Sequence, residues 1–428
     1  MEKLVNKILA IKKFSLKQII ILVAVTLVSL TILMNHLKPD LAGFKMKPFY
    51  IENEAQLLIP VPTLTVGEKL TQLWEASFPK IALSYQIIGE DATLGFDDKF
   101  DLFYGETTLM AGYYDQLYKL DQAFLRFTNI KAIKHLSQEL NTGSPVFVPF
   151  DLSGLVLAYN KSILNAIDEN LDIIKLNFEA ILKLEFSDDA DELIALAFND
   201  INSFYGFLTV AGWQPFPLTQ ETSHNFNHNS FKNSLKFIQE LGERQATGNQ
   251  TMWHYETALI EKNSLLTLVG SWPTHQMLLD DSWQVLEKFP LYSGSRGRQL
   301  VNVFGYGINQ NSKYKGAAQT FLQFLNTKPV RQALLGIDDF YPVISETWLK
   351  ELEVDENYRN LLLGLNNGQP TLVHSLKNNP SKAVFEIIED IKLLEIIEDV
   401  YQQKIDVEEA FETINELADQ WVKQYDNH

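Results

Sequence analysis

Residues 146–164 read VFVPFDLSGLVLAYNKSIL, and the rest of the chain takes its meaning from them. The stretch opens as an apolar run, Val146-Phe147-Val148, and breaks at Pro149. A short polar and glycine patch follows, holding Asp151, Ser153 and Gly154. A second apolar run, 155–159, ends at Asn160-Lys161, where a helix pattern begins. Two buried strands with a turn-prone joint are what a chain needs to leave one domain and enter another. The reading is a crossover between two α/β lobes with a ligand beside it. Two neighbouring strands of one sheet are the plainer alternative.

Composition narrows the partners. At 428 residues and 46% hydrophobic, the chain can bury a large core in one or two domains. The net charge of −18 is unevenly placed. Residues 1–40 carry six lysines against Glu2 and Asp40, leaving 30 basic and 52 acidic residues, a net −22, in the remainder. Such a body repels nucleic acid and anionic lipid surfaces, so neither is expected as a partner. The absence of cysteine removes disulfides, thiol catalysis and Cys-ligated zinc.

The N-terminus holds an uncharged run, IIILVAVTLVSLTILM, at 19–34, preceded by five lysines. Its sixteen residues fall just short of a full span of roughly 20. Leu37 and lysine stems can extend it by snorkelling. No good small-residue cleavage site follows, so an uncleaved single-pass anchor is favoured over a cleaved signal. The lysine-rich end is then cytoplasmic and the body extracytoplasmic. Residues 1–40 are read as this anchor or signal, and 41–54 as a tether.

Beyond the tether the pattern reads strand 56–62, a helix with Leu70, Leu73 and Trp74 on one face, and strand 81–85. Another strand, 100–104, leads into Gly105-Glu106-Thr107-Thr108. This spacing argues for a parallel sheet faced by helices, with ligands beyond the strand ends. Residues 163–194 read as helical and acidic. A helix at 255–263 precedes a strand at 264–269 and Gly270-Ser271-Trp272. A tryptophan just past a strand end is well placed to project from a surface. Residues 300–308 (LVNVFGYGI) read as a strand, and 316–325 and 327–336 as helices. The C-terminus reads as two helices, 382–403 and 407–425. Phe411, Ile414, Leu417 and Trp421 form one stripe on the second.

Four pieces in this order resemble the extracellular solute-binding proteins of carbohydrate ABC importers, the maltose-binding-like family. They are 100–104, 148–161, 261–272, and 304–325 with its FGYGI and later Ala317-Ala318. The resemblance covers about 55–422. It implies the two-lobed α/β periplasmic-binding-protein fold of type II, behind one N-terminal transmembrane helix. The first lobe would be 55–150 plus 302–340, and the second 151–301 plus 341–428 with the helical C-terminus. It further implies a monomer that captures a sugar, oligosaccharide or polyol and delivers it to the transmembrane subunits of an importer, without catalysis or cofactor. Trp272 would be a stacking plate and Tyr306 a contact at the return crossover. Asp151 and Ser153 match crossover positions that meet hydroxyls, and Tyr104 and Glu106 match the first-lobe loop. Three departures bear on a maltodextrin assignment rather than on the fold. Ser153 replaces an acidic residue, Thr107-Thr108 stands where a charged pair is usual, and Glu386 replaces a late stacking aromatic.

Such residues suit sugar capture, because a sugar offers hydroxyls at its rim and C–H faces above and below. Competing chemistries are weaker. Two S-x-x-K matches, at Ser77 and Ser312, lack companion motifs, and no phosphate-binding G-x-x-x-x-G-K-[ST] loop is present. His224 and His228 lie four apart in a polar stretch without an evident third ligand, so no metal site is expected. A degenerate, membrane-tethered sensor or scaffold is the alternative.

Overall fold

A computed structural model describes residues 55–89, 95–107, 110, 113–120, 146–185, 192–214, 224–245, 254–272, 275, 278–337, 340–351, 353–370 and 383–425. The apolar run at 19–34 lies outside them. Every described element belongs to one compact unit within 48–428.

Within 146–164 the two apolar runs form one continuous strand rather than two. β1 (Gln56–Val61), β2 (Ala82–Ile87) and β3 (Leu102–Glu106) precede it, and β4 runs unbroken over Phe147–Asn160. Pro149 and Gly154, which suggested a joint, are accommodated inside the strand. Pairing with the returning strand slips by one residue there, leaving Phe150 as a bulge. Asn160 then ends the strand and starts a helix. Its side chain accepts from Ser162 N at 2.9 Å and Ile163 N at 3.2 Å, an N-cap for Lys161–Ile167.

The remaining strands are β5 (Glu192–Ile194), β6 (Ser264–Gly270), β7 (Trp283–Val285), β8 (Leu291–Tyr292), β9 (Ser295–Arg296), β10 (Leu300–Ile308) and β11 (Gln369–Pro370). β1 and β2 form a parallel pair around the helix Leu64–Ser77, whose Leu70 and Trp74 are buried. The main sheet runs β11-β10-β4-β6-β5, with β3 also on β10 and β7 also on β4. Of the strands expected to form a parallel sheet, β1 and β2 do pair in parallel, whereas β3 joins the main sheet antiparallel to β10; within that sheet the β5–β6 and β10–β11 pairs are parallel and the others antiparallel.

β4 changes neighbours on both edges near Gly154. One edge pairs with β10 over Phe147–Gly154 and with β7 from Ala158. The other is bonded to the 341–343 segment by Leu152 N to Tyr341 O (2.9 Å) and Val343 N to Phe150 O (3.0 Å), and to β6 from Leu155. Two hydrophobic clusters meet across the strand. Leu155, Leu157 and Tyr159 enter one, shared with the C-terminal helices. Leu152, Val156 and Ala158 enter the other, shared with β10 and the helix Glu356–Asn367. Burial on both faces explains why this strand reads as nearly continuous apolar sequence.

Two helical expectations change. Within 163–194 the helical reading holds only in pieces, to Ile167 and again over Phe178–Ile181, and Glu192–Ile194 is a strand beside β6. The expected single helix over 382–403 is two, Ala383–Asp390 and Leu393–Tyr401, broken where Lys392 adopts φ 53°. The last helix, Val407–Tyr425, buries Ile414 and Trp421 as its stripe predicts. Among the described residues no helix is long and apolar enough to cross a membrane.

Candidate functional site

β3, β4 and β10 are buried almost throughout, and their exceptions fall together. Only Glu106 in β3, Ser153 and Gly154 in β4, and Asn302 and Phe304 in β10 are half-open. The register places Asn302 opposite Ser153, and Phe304 opposite both Asp151 and Glu106. Directly opposed residues of a ladder share a face. A carboxylate, an amide, a hydroxyl and an aromatic ring therefore gather where β4 changes neighbours.

The end of β6 completes this patch. Ser271 N donates to Gly154 O at 3.0 Å, and Ser271 Oγ accepts from Gly154 N at 3.1 Å. The Ser271 and Ser153 hydroxyls are bonded at 3.3 Å. Trp272 follows, half-buried, with its indole folded over Gly270. A Cβ on Gly270 would lie 2.4 Å from that ring, so the fold-back needs glycine. His275 supports the bend from behind, its ring centroid 4.7 Å from the indole. Its Nδ1 accepts from Gly270 N at 2.7 Å, so the proton sits on Nε2, which donates to Glu256 Oε1 at 2.7 Å.

Burial holds the His275 imidazole below its ordinary pKa, against the opposing pull of Glu256. The folded pKa being the lower one, the unfolded chain takes up the proton first on acidification. This group's contribution is complete above about pH 6.5 and is lost as pH falls through the folded pKa. Protonation also removes the acceptor for Gly270 N–H. The unfolding midpoint should therefore fall between about pH 7 and pH 5, and His275→Ala should flatten that part of the profile. An unchanged slope in a thermal scan of the variant would contradict this role.

Six of the seven expected site residues divide into two groups. Ser153, Glu106 and Trp272 are in or beside the open patch. Tyr104, Tyr306 and Asp151 lie on the same face alongside it, but buried. The two tyrosine rings are 4.8 Å apart, and the Tyr306 hydroxyl donates to Pro60 O at 2.8 Å. Burial, with the Asp151 carboxylate nearby, pushes both phenols well above their ordinary pKa. Asp151 Oδ1 accepts from Leu152 N and Tyr341 N, each at 2.8 Å, so this carboxylate ties the strand rather than facing solvent. Glu386 is half-exposed on a helix that packs chiefly on the two helices after it. Asn302, Phe304 and Ser271 were not anticipated. The signal available for Asn302 was an amide inside an otherwise apolar strand.

Beneath the bulge sits Arg331, 1% exposed. It donates to Phe150 O at 2.6 Å, Pro149 O at 2.8 Å and Asn326 Oδ1 at 3.1 Å. Burial pulls its pKa down to about 9, opposed by Asp151.

His224 and His228 do not converge. His224 Nε2 bonds Asp419 at 2.9 Å, while His228 caps the helix Asn229–Arg244. Among the described residues no group of three or more His, Asp or Glu side chains is placed to hold a metal ion. No protein-family model matches the chain, and no curated protein is significantly similar to it.

Proposed function

We propose that this chain is a solute-binding protein that captures a small sugar or polyol at the patch where β4 changes neighbours. The observation that carries this reading is the register that brings Glu106, Asn302, Ser153 and Phe304 together, with Ser153 bonded to Ser271, the residue before Trp272. Carboxylate, amide and hydroxyl groups recognise sugar hydroxyls, while an indole offers a plate for a C–H face. The change of neighbours also supports a two-lobed reading, with β4 and β10 as crossings between a first lobe (55–150 plus 302–340) and a second (151–301 plus 341–428). The run at 19–34 tethers the body to a cell membrane, extracytoplasmic side out, and the natural partners are the transmembrane subunits of an ABC importer. A monomer without enzymatic activity or cofactor suffices for that role.

One observation favours a second reading. Tyr104 and Tyr306 fill the space beside the patch on the same face, as they would in a degenerate sensor or scaffold that no longer takes a solute. A thermal-shift panel of neutral sugars and polyols separates the two. A ligand at about a hundred times its dissociation constant stabilises the fold by about 2.7 kcal/mol, a readily visible rise in midpoint. No rise with any member of the panel would support the scaffold instead.

A further inference from the structure

A cavity of about 540 Å³ opens on the far edge of β4 from Trp272. It occupies the gap between the last β10 pair, at Gly154, and the first β7 pair, at Ala158. Its size lies within the range of small-molecule sites. Among the described residues its charged lining is Lys288, Arg296 and Arg298 against Glu287, an excess of two positive charges in a chain of net −18. Lys288 lies 3.3 Å from Glu287, and one Arg296 guanidinium nitrogen donates to Phe289 O at 2.6 Å. The Arg298 backbone is pinned on both sides by the Thr209 hydroxyl, at 2.8 and 3.2 Å. Its exposed guanidinium has no partner among the described residues. Gln214 and Gln369 add amide groups to the lining.

We infer that this cavity is a second small-molecule site, taking a small hydrophilic oxyanion, a carboxylate or phosphate, on Arg298 with Arg296 and Lys288. A fixed backbone and an unpaired planar fork suit bidentate capture of such a group. The competing account is that the arginines only complement the carbonyl ends of the helices Ile201–Leu208 and Glu356–Asn367, which finish at this cavity.

Calorimetric titration of the full chain with inorganic phosphate, and separately with citrate, tests the inference at constant ionic strength. Saturable binding of either is expected. Phosphate alone would assign a phosphate ligand, and citrate alone a polycarboxylate. Arg298→Gln should weaken binding at least about tenfold without moving the ligand-free unfolding midpoint, while Trp272→Ala should leave it intact. Heats no different from sodium chloride at matched ionic strength would overturn the assignment. So would an Arg298→Gln variant that binds as tightly, whether or not it melts earlier.

Discussion

Arg331→Ala is expected to lower the unfolding free energy by about 3–5 kcal/mol, the usual cost of removing one member of a buried charged network. The guanidinium spans the carbonyls of Pro149 and Phe150 at the point where β4 bulges. Phe150 O keeps a second donor in Val343 N, at 3.0 Å, whereas Pro149 O loses its guanidinium donor. Asp151 loses the nearby positive charge. Arg331→Lys should recover only part of the loss, since an ammonium is a point charge and cannot reproduce the planar fork. Denaturant unfolding reads both variants. A loss below about 1 kcal/mol for the alanine variant would mean that the bulge holds itself without the arginine.

Gly305→Ala should cost about 2–3 kcal/mol for a different reason, overpacking. An added Cβ would lie 2.2 Å from Val148 O and 2.6 Å from the Phe147 ring. The closest neighbour is strand backbone, which cannot yield without parting β10 from β4. Far-ultraviolet circular dichroism during denaturant unfolding would show an earlier transition. A variant as stable as the parent would contradict the tight strand contact.

Much of the fold was legible because its elements announce themselves locally. β10 begins and ends where its apolar run does, at Leu300 and Ile308. The helix Lys315–Leu325 starts one residue before its expected bound. What escaped depended on distant partners. Pro149 reads as a strand breaker, yet its carbonyl is held by a helix 182 residues away in sequence. The break at Lys392 has no glycine or proline to mark it. β5 is three residues long, too short to show a period, and exists because β6 lies beside it.

The site was legible in part for the same reason. Trp272 stood out through its local setting, just past a strand end. Tyr104 and Tyr306 share the pattern of a surface-facing aromatic, but only tertiary packing decides whether such a ring is covered. Asn302 and Phe304 become half-open because of where β4 and β3 place them, a fact no local window contains.

Solute capture beside Trp272 is tested most directly by titration calorimetry with Trp272→Ala. The sugar or polyol giving the largest thermal shift would be titrated into both proteins, with their unfolding midpoints measured in parallel. Weakening by about 2 kcal/mol or more, roughly thirtyfold, is expected, with little change in midpoint. Unchanged affinity together with a large fall in midpoint would make Trp272 a core residue and contradict capture at this patch.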